Sequence, residues 1–516
     1  MKVPAPILRQ LYDFGSLQVS GESVRFSLKN RLSDATVTRL HRVKIGNADL
    51  PLDTISLMLP NGQVRKATEV SPANSLPFPV QQRIEVRASG HRVPEGKHEI
   101  SLAFETAPFG ELDFVVQDAA KKLAARKKTA RKLPCNKADN YTPDIVRERQ
   151  QFVKEFSGVD FRHIGAFSFD AAATQGNIEN FTGVAQVPLA FVGPVRVNGE
   201  AARGEFLVPM ATTEGTMVAS YNRGIKVLNL SGGVNTVVIG DGMQRAPVFV
   251  FDSARDACAF KQWVDEHFDP IRQAAEATSR IARLLHVETF LVSKFAYLRF
   301  NYSTGDAAGQ NMVGKATFAA CNWILEQVNT VRRFFLEANM ATDKKSSAIN
   351  TLSPRGKRVT AEAVIPRDVL VENLRVEPET LCYHGGLSMV GTMMSGANNN
   401  GAQSPNGLAA VFIATGQDVA NLAESSAGTV YAEVMSGGDL YVSITIPSLI
   451  VATHGGGTGL PTQRECLEIM DCYGAGKVRK FAEILAAVSL AGDLSLGAAI
   501  CASDWVSSHE KLGRNR

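Results

Sequence analysis

Apolar and polar positions alternate in short runs over roughly the first 120 residues. The runs fall at 24–28, 36–45, 55–59, 83–86, 99–104 and 112–116, separated by turn-forming stretches such as Pro60-Asn61-Gly62 and Pro94-Glu95-Gly96. Period-two alternation at that spacing predicts six or seven strands in a small antiparallel sandwich. Residues 118–134 are basic and alanine-rich up to Pro134, which predicts a solvated helical linker rather than a nucleic-acid patch. Helical spacing returns at 143–156, with Thr142 placed as the N-cap. Pro188 and the glycines between 177 and 195 predict extended, tightly packed backbone.

Further along, Met217, Val218, Tyr221, Ile225 and Leu228 form an inward stripe. They predict a helix that opens at Thr213 or Gly215 and breaks at Gly232-Gly233. Residues 248–335 read as a compact α+β unit: strand 248–251, helices 254–267 and 270–285, strand 289–302, then a polar turn at 303–312 into a helix reaching about 335. The segment 385–416 is rich in glycine, serine and asparagine, and a helix over 406–418 ends it. Strands at 429–433 and 440–446 and an alanine-rich helical region at 474–508 complete the chain.

Composition narrows the class. The 516 residues have room for three or four domains, and 45% hydrophobic content suffices for large cores. A net charge of +4 is too small at this length to argue for a nucleic-acid partner. The seven cysteines form no CxxC pair, and reduced thiols in a cytoplasmic protein account for them most simply; no metal site is expected. The N-terminus lacks the apolar run of a signal peptide, and no uninterrupted apolar stretch reaches spanning length, so a soluble chain with no membrane partner is expected.

Several segments carry groups suited to chemistry. Glu214 has small and apolar neighbours, and desolvation there would suit it to hold and give a proton near neutral pH. An acid at a helix N-terminus, favoured by the dipole, fits the same residue. The turn Asp306 to Met312, between a strand and a helix, is a natural phosphate cradle without being a GxGxxG fingerprint. Arg280 and Lys315 are candidates to supply positive charge there. In Asp343-Lys344-Lys345, an ammonium among small residues can stabilise an oxyanion, or can lie in an exposed turn with an ordinary ion pair. Asp418, in an apolar helix, is a second acid with a candidate pKa shift. Gly455-Gly456-Gly457-Thr458 exposes backbone, and His509 lies near the C-terminus, either solvated or a mobile general acid.

Taken together and in order, these segments resemble the catalytic part of the 3-hydroxy-3-methylglutaryl-CoA reductases, in the branch found in eukaryotes and archaea. The carriers are Glu179-Asn180 to Pro194, PMATTEG at 209–215, DGMQR at 241–245, TSR at 278–280, GDAAGQNM at 305–312, TDKK at 342–345, EAVIP at 362–366, GQD at 416–418, GGGT at 455–458 and Ser508-His509. The resemblance covers about 144–509. With the β-sandwich-like module (1–120) and the basic linker and helical segment (121–180) read above, it implies a multidomain α+β fold with a large catalytic domain (181–246 and 336–516). A small ferredoxin-like NADP-binding domain (247–335) is inserted into the large one.

The resemblance also implies a four-electron reduction of a thioester, through a hemithioacetal and an aldehyde, to the alcohol, with NADPH used twice. Lys344 would stabilise the oxyanion, Glu214 would protonate the carbonyl oxygen, Asp418 would tune both, and His509 would protonate the departing thiolate. Arg245, Asn339, Asp343, Lys345 and Asn406 would contact substrate. Ser279, Arg280, Asp306, Gly309, Gln310, Asn311, Met312, Gly455 and Gly456 would hold the dinucleotide, with Arg280 favouring NADPH. The family builds its site between two subunits, so a homodimer or a dimer of dimers is implied.

The acyl-carboxylate pocket departs from the family. Its usual lysine, serine and histidine fall at Leu387, Glu337 and Gln403, and a glutamate would repel a substrate carboxylate. A family asparagine after the histidine falls at Gly513, while Arg514 keeps the arginine that follows. The default substrate is (S)-3-hydroxy-3-methylglutaryl-CoA. Alternatives are the same chemistry on another acyl thioester, bound to CoA or to a carrier protein docked on the β-rich module, and a non-catalytic scaffold on the same fold.

Overall fold

The structure is a computed structural model and describes residues 8–32, 34–122 and 131–504. Residues 8–122 build a ten-stranded β module rather than one of six or seven strands. Strands Ser23–Lys29, Arg83–Ser89 and Ile55–Met58 pair antiparallel on one side; Ala35–Ile45, Gly96–Ala107 and Gly110–Lys122 pair antiparallel on the other. Gln18–Ser20 joins the two halves, and its contact with Gly110–Lys122 is parallel. Alternate residues such as Phe26, Val86, Leu102 and Phe114 point into one shared core. Residues 118–122, expected in a helical linker, belong instead to the strand Gly110–Lys122, with Asp118 to Ala120 in register with His98 to Gly96. Pairing with a ready-made neighbour overrides the helical propensity of alanine and lysine there. Residues 123–130 lie outside the described residues.

A helix over Pro143–Ser157 follows, with the Thr142 side chain accepting the Ile145 N–H as predicted. The catalytic part is organised around the helix Val478–Cys501, 24 residues long and largely buried. By length and average composition it would pass for a membrane span, but Glu483 and Asp493 interrupt its apolar run, and 78% of its most apolar window is buried inside the fold. It is the core helix, and its partner is Met217–Leu230, whose Gly224 lets the two backbones touch: a Cβ on Gly224 would lie 1.9 Å from the Ala491 carbonyl oxygen. The predicted stripe holds, with Met217, Tyr221, Ile225 and Leu228 buried. The helix starts two residues later than the latest predicted opening, after Thr216, which takes φ +72°.

An eight-stranded sheet flanks these helices. Asn235–Arg245 is its hinge: residues 235–242 pair with Gly356–Ile365, and residues 243–245 pair with Phe295–Ser303. Beyond this strand, Val248–Val250, helices Ala254–Glu266 and Phe268–Glu276, the hairpin Arg283–Val292 and Phe295–Ser303, helix Gln310–Gln327 and strand Arg333–Phe335 follow in order. The β-α-β-β-α-β sequence, with the four strands placed last, first, third, second, is the ferredoxin-like arrangement.

Three boundaries differ from the sequence reading. The second helix stops at Glu276, and residues 283–285 are strand, because Ser279 Oγ accepts the N–H groups of Ile281 and Ala282 at 3.1 Å each and turns the chain. The run 289–302 is two strands, folded back at Ser293, which takes φ +54°. The helix expected to reach 335 ends at Gln327, and residues 333–335 are an edge strand.

Candidate active site

Lys344 lies in a loop between the small unit and helix Ala348–Leu352. Asn339, Thr342 and Lys344 all take positive φ there (+65°, +56° and +61°), a conformation that L-residues keep only when surrounding contacts hold it. The contacts are specific. Asp343 is bracketed by arginines: Oδ2 accepts Arg245 Nη1 at 3.1 Å, and Oδ1 accepts Arg355 Nη2 and Gln310 Nε2, the latter at 3.1 Å. Burial alone would raise the Asp343 carboxyl, but Arg355 and Arg245 outweigh it and hold it below the ordinary value. Lys345 Nζ donates to the Asp343 carbonyl at 3.0 Å.

Lys344 itself reaches the second acid. Its Nζ lies 3.0 Å from Asp418 Oδ2, and both side chains are a little over 40% exposed, so the pair faces solvent and is open to a substrate. Asp418 is not in an apolar helix, as expected from the sequence. The helix Ser404–Thr415 ends at Gly416, φ +69°, and Asp418 caps the next short turn by accepting the Ala420 N–H at 3.1 Å. The predicted helix thus starts two residues and stops three residues early, leaving the carboxylate free to turn towards Lys344.

The candidate nucleotide turn abuts this pair. Gly309 has φ +82°, and a Cβ there would lie 2.3 Å from Thr304 Cγ2, so only glycine fits. No side chain caps the helix that opens at Gln310, so its first N–H groups remain available to an anion. Gln310 Nε2 donates to Asp343 Oδ1 and, at 2.9 Å, to Asn421 Oδ1, tying the turn to both the Lys344 and Asp418 segments. Ser279 Oγ lies 3.2 Å from Met312 Sδ, so those two predicted residues meet. Arg280 and Asn311 are exposed. Asp306 plays a different part from the one expected: its carboxylate accepts the N–H groups of Gly476 (2.8 Å) and Val478 (3.1 Å), anchoring the turn to the start of the core helix. Gly455 and Gly456 lie on a loop whose Gly457 backbone packs against Gly416, beside Asp418, and Gln417 ties the two by exchanging hydrogen bonds with the Ala452 backbone.

Other expected residues make no hydrogen bond or ion pair with Lys344 or Asp418 among the described residues. Glu214 is exposed, its own N–H bonded to Thr212 Oγ1, and among the described residues it makes no hydrogen bond or ion pair with Lys344 or Asp418. The apolar enclosure expected for its carboxylate is therefore not built by a single copy. Gln403 is buried, its amide within reach of Ser220 Oγ, and Asn406 lies half-buried a turn further on. Leu387 is 55% exposed on the helix Pro378–Ser395, and the same helix exposes Tyr383, Met393 and Met394. Asn339 is exposed; Glu337 accepts the N–H groups of Ala338 and Asn339 and places Oε2 3.9 Å from Arg245 Nη1. His509 lies outside the described residues. Behind Ala211 and Ala414, a cavity of about 890 Å³ is lined by Phe167, Phe169, Phe181 and Val187.

Sequence reasoning missed Glu424, buried beneath Lys344 and 3.0 Å from Arg355 Nε. Its carboxyl is pushed up to about 7, chiefly by burial. Only the pairing of residues some seventy positions apart reveals it, and no local pattern carries that signal.

The chain resembles known proteins over most of its length. Residues 145–514 match the family described as hydroxymethylglutaryl-coenzyme A reductase, and residues 7–121 match the N-terminal domain of hydroxymethylglutaryl-CoA reductase. The 3-hydroxy-3-methylglutaryl-coenzyme A reductase of Pyrococcus abyssi is 43% identical over 374 residues, covering 71% of this chain and 92% of that protein. The Methanothermobacter thermautotrophicus reductase is 40% identical over 72% of this chain and 94% of its own length. The sea urchin (Strongylocentrotus purpuratus) reductase is 39% identical over 67% of this chain and 38% of its own. Among solved structures, a class II reductase from Streptococcus pneumoniae bound to NADPH aligns with TM-score 0.52 at 19% identity, over 69% of this chain and 96% of that one, a likeness of fold alone. With a lysine–aspartate pair set against a glycine-bearing turn, and both parts of the chain matched in order, this protein belongs to the hydroxymethylglutaryl-coenzyme A reductase family.

Proposed function

We propose that this chain reduces (S)-3-hydroxy-3-methylglutaryl-CoA to mevalonate and free CoA, with two equivalents of NADPH. The observation that carries the reading is the Lys344–Asp418 pair, 3.0 Å apart and open to solvent beside the uncapped turn at Gly309. The turn fits a dinucleotide phosphate: its N–H groups are unclaimed by a side-chain cap, and the exposed Arg280 makes no ion pair among the described residues. Gln310, Asn311 and Met312, with Ser279, Gly455 and Gly456 nearby, complete the holding residues. Bound there, NADPH supplies hydride.

The chain's own groups do the rest. Lys344 Nζ stabilises the negative charge that grows on the carbonyl oxygen as the thioester, and later the aldehyde, is reduced. Asp418 holds that ammonium in place. Glu214 gives the proton to the oxygen, and His509 protonates the thiolate as the C–S bond breaks. Arg245, Asn339, Lys345 and Asn406 contact the acyl group, with Asp343 orienting Arg245. Glu214 makes no hydrogen bond or ion pair with Lys344 or Asp418 among the described residues of one copy, which supports its being supplied by a second copy, and the exposed apolar face of Pro378–Ser395 suits a homodimer or a dimer of dimers. The division into 1–120, 121–180, 181–246 with 336–516, and 247–335 follows from this reading. So does a cytoplasmic setting, in keeping with the unpaired cysteines.

NADPH absorbance followed over a panel of acyl-CoAs and a carrier-bound thioester tests the reading. Thioester-dependent oxidation, greatest with hydroxymethylglutaryl-CoA and lost in Lys344→Ala at unchanged folding and association, is the expected result. Oxidation favouring another thioester would move the substrate, and none with any thioester would leave only a scaffold.

A further inference from the structure

Beneath the catalytic lysine lies a charged pair that the scheme above leaves unused. Glu424, in the short helix Leu422–Ser425, is 1% exposed, and the Arg355 side chain beside it is fully buried. Glu424 Oε1 accepts the Lys344 backbone N–H at 3.0 Å, and Oε2 accepts Asn350 Nδ2 at 3.3 Å. Oε2 also lies 3.0 Å from Arg355 Nε. That N–H is not aligned on any acceptor, so this contact is one of charge rather than a directed hydrogen bond. Arg355 gives its other nitrogens to Asp343 and, at 3.0 Å, to the Gln244 carbonyl. One buried pair therefore grips two consecutive residues of the catalytic loop, Asp343 by its side chain and Lys344 by its backbone.

Two physical arguments give this grip a purpose. A buried ion pair is a poor device for stability, because apolar side chains of similar volume fill such a place as well or better. And Lys344 sits at φ +61°, which the loop does not favour unaided.

We propose that Glu424 is a positioning residue for the reaction: its carboxylate, clamped by Arg355, fixes the Lys344 backbone so that the ammonium meets Asp418 and the substrate oxygen. The inference rests on the role of Lys344 proposed above. Burial raises the Glu424 carboxyl to about 7, against the pull of Arg355 and of the Lys344 N–H, and Asp343 adds to the rise. Arg355, Asp343 and the Lys344 backbone are the groups that set its charge. The clamp is in force above neutral pH and relaxes below it.

Glu424→Gln keeps the volume and removes the charge. In that variant kcat should fall at least tenfold at pH 8, while KM for acyl-CoA and for NADPH moves less than threefold, and the acid limb of kcat near pH 7 should disappear. Glu424→Asp keeps the charge on Arg355 but shortens the reach to the Lys344 N–H; it should lose kcat and retain the acid limb, and it carries the test where the glutamine variant does not fold. Unchanged kcat in the folded variants, a loss confined to KM, or an acid limb that survives in Glu424→Gln overturns the proposal. A wild-type protein that oxidises no NADPH with any thioester overturns the function reading instead.

Discussion

Glu424 makes a prediction about stability that is separate from turnover. A carboxyl whose folded pKa lies above its unfolded value stabilises the fold most while protonated, and that contribution is lost as pH rises through the folded pKa. For Glu424 the window runs from its ordinary 4.5 to about 7. Between about pH 5.5 and pH 8.5 the linkage amounts to roughly 1.5 pH units of differential proton binding, or about 2 kcal/mol. Asp343 has the opposite sign: held below its ordinary 3.8, it loses its contribution only on acidification beneath this window. Glutamine at 424 cannot titrate, so Glu424→Gln should gain on wild type by about 2 kcal/mol across the window, whatever the offset between them. For a cooperative unit of about 370 residues that is a relative rise in Tm of roughly 2–3 °C. Calorimetry of ligand-free wild type and variant at matched concentration, stepped through pH, reads it directly. Tm curves that run parallel, or a gap that widens towards acid, would refute the reasoning. A variant that is relatively more stable at pH 8.5 yet slower is the signature of a charge kept for function.

Three further outcomes follow from the site. Glu214→Gln and Lys344→Ala, each inactive alone, should regain about one quarter of wild-type activity when their subunits are mixed and exchanged, since half the dimers are then mixed and each holds one intact site of two; no recovery after proven exchange would place all the groups in one copy. Glu337→Ser removes a carboxylate 3.9 Å from Arg245 and should lower KM for hydroxymethylglutaryl-CoA by roughly three- to tenfold, the scale of one partly screened charge contact, with kcat little changed; a raised KM would mean that Glu337 assists binding. Gly309→Ala drives a Cβ into Thr304 at a position with φ +82° and should weaken NADP⁺ binding by about tenfold or more in a fluorescence titration, while the Lys344–Asp418 pair keeps its place; unaltered binding would move the dinucleotide elsewhere.

Local patterns gave the elements that depend on local chemistry. The stripe from Met217 to Leu228 and the Thr142 cap are set by neighbours three and four residues away, and the structure holds both. Element ends were less legible where a single residue decides them, as the Ser279 side chain does by turning the chain before Arg283 and as the left-handed backbone at Ser293 does by folding one apparent strand into two. That Lys344 and Asp418 meet was readable only from motifs in order, since neither flanking sequence announces a partner 74 positions away. Glu424 could not be read at all. Ala423-Glu424-Ser425 has the composition of a surface turn, and only the arrival of Arg355 and the Lys344 loop over it makes it a buried carboxylate.

The strand Asn235–Arg245 is hydrogen-bonded at one end to the large unit and at the other to the small one. A small unit joined in this way does not swing on flexible connectors. Any closing motion has to be a twist carried through the shared ladder, so movement at the turn beside Gly309 is felt along the backbone that leads to Arg245. The same stitching welds the two parts into one melting unit, and excising residues 247–335 would strip Phe295–Ser303 of a neighbour and leave an open, adhesive edge.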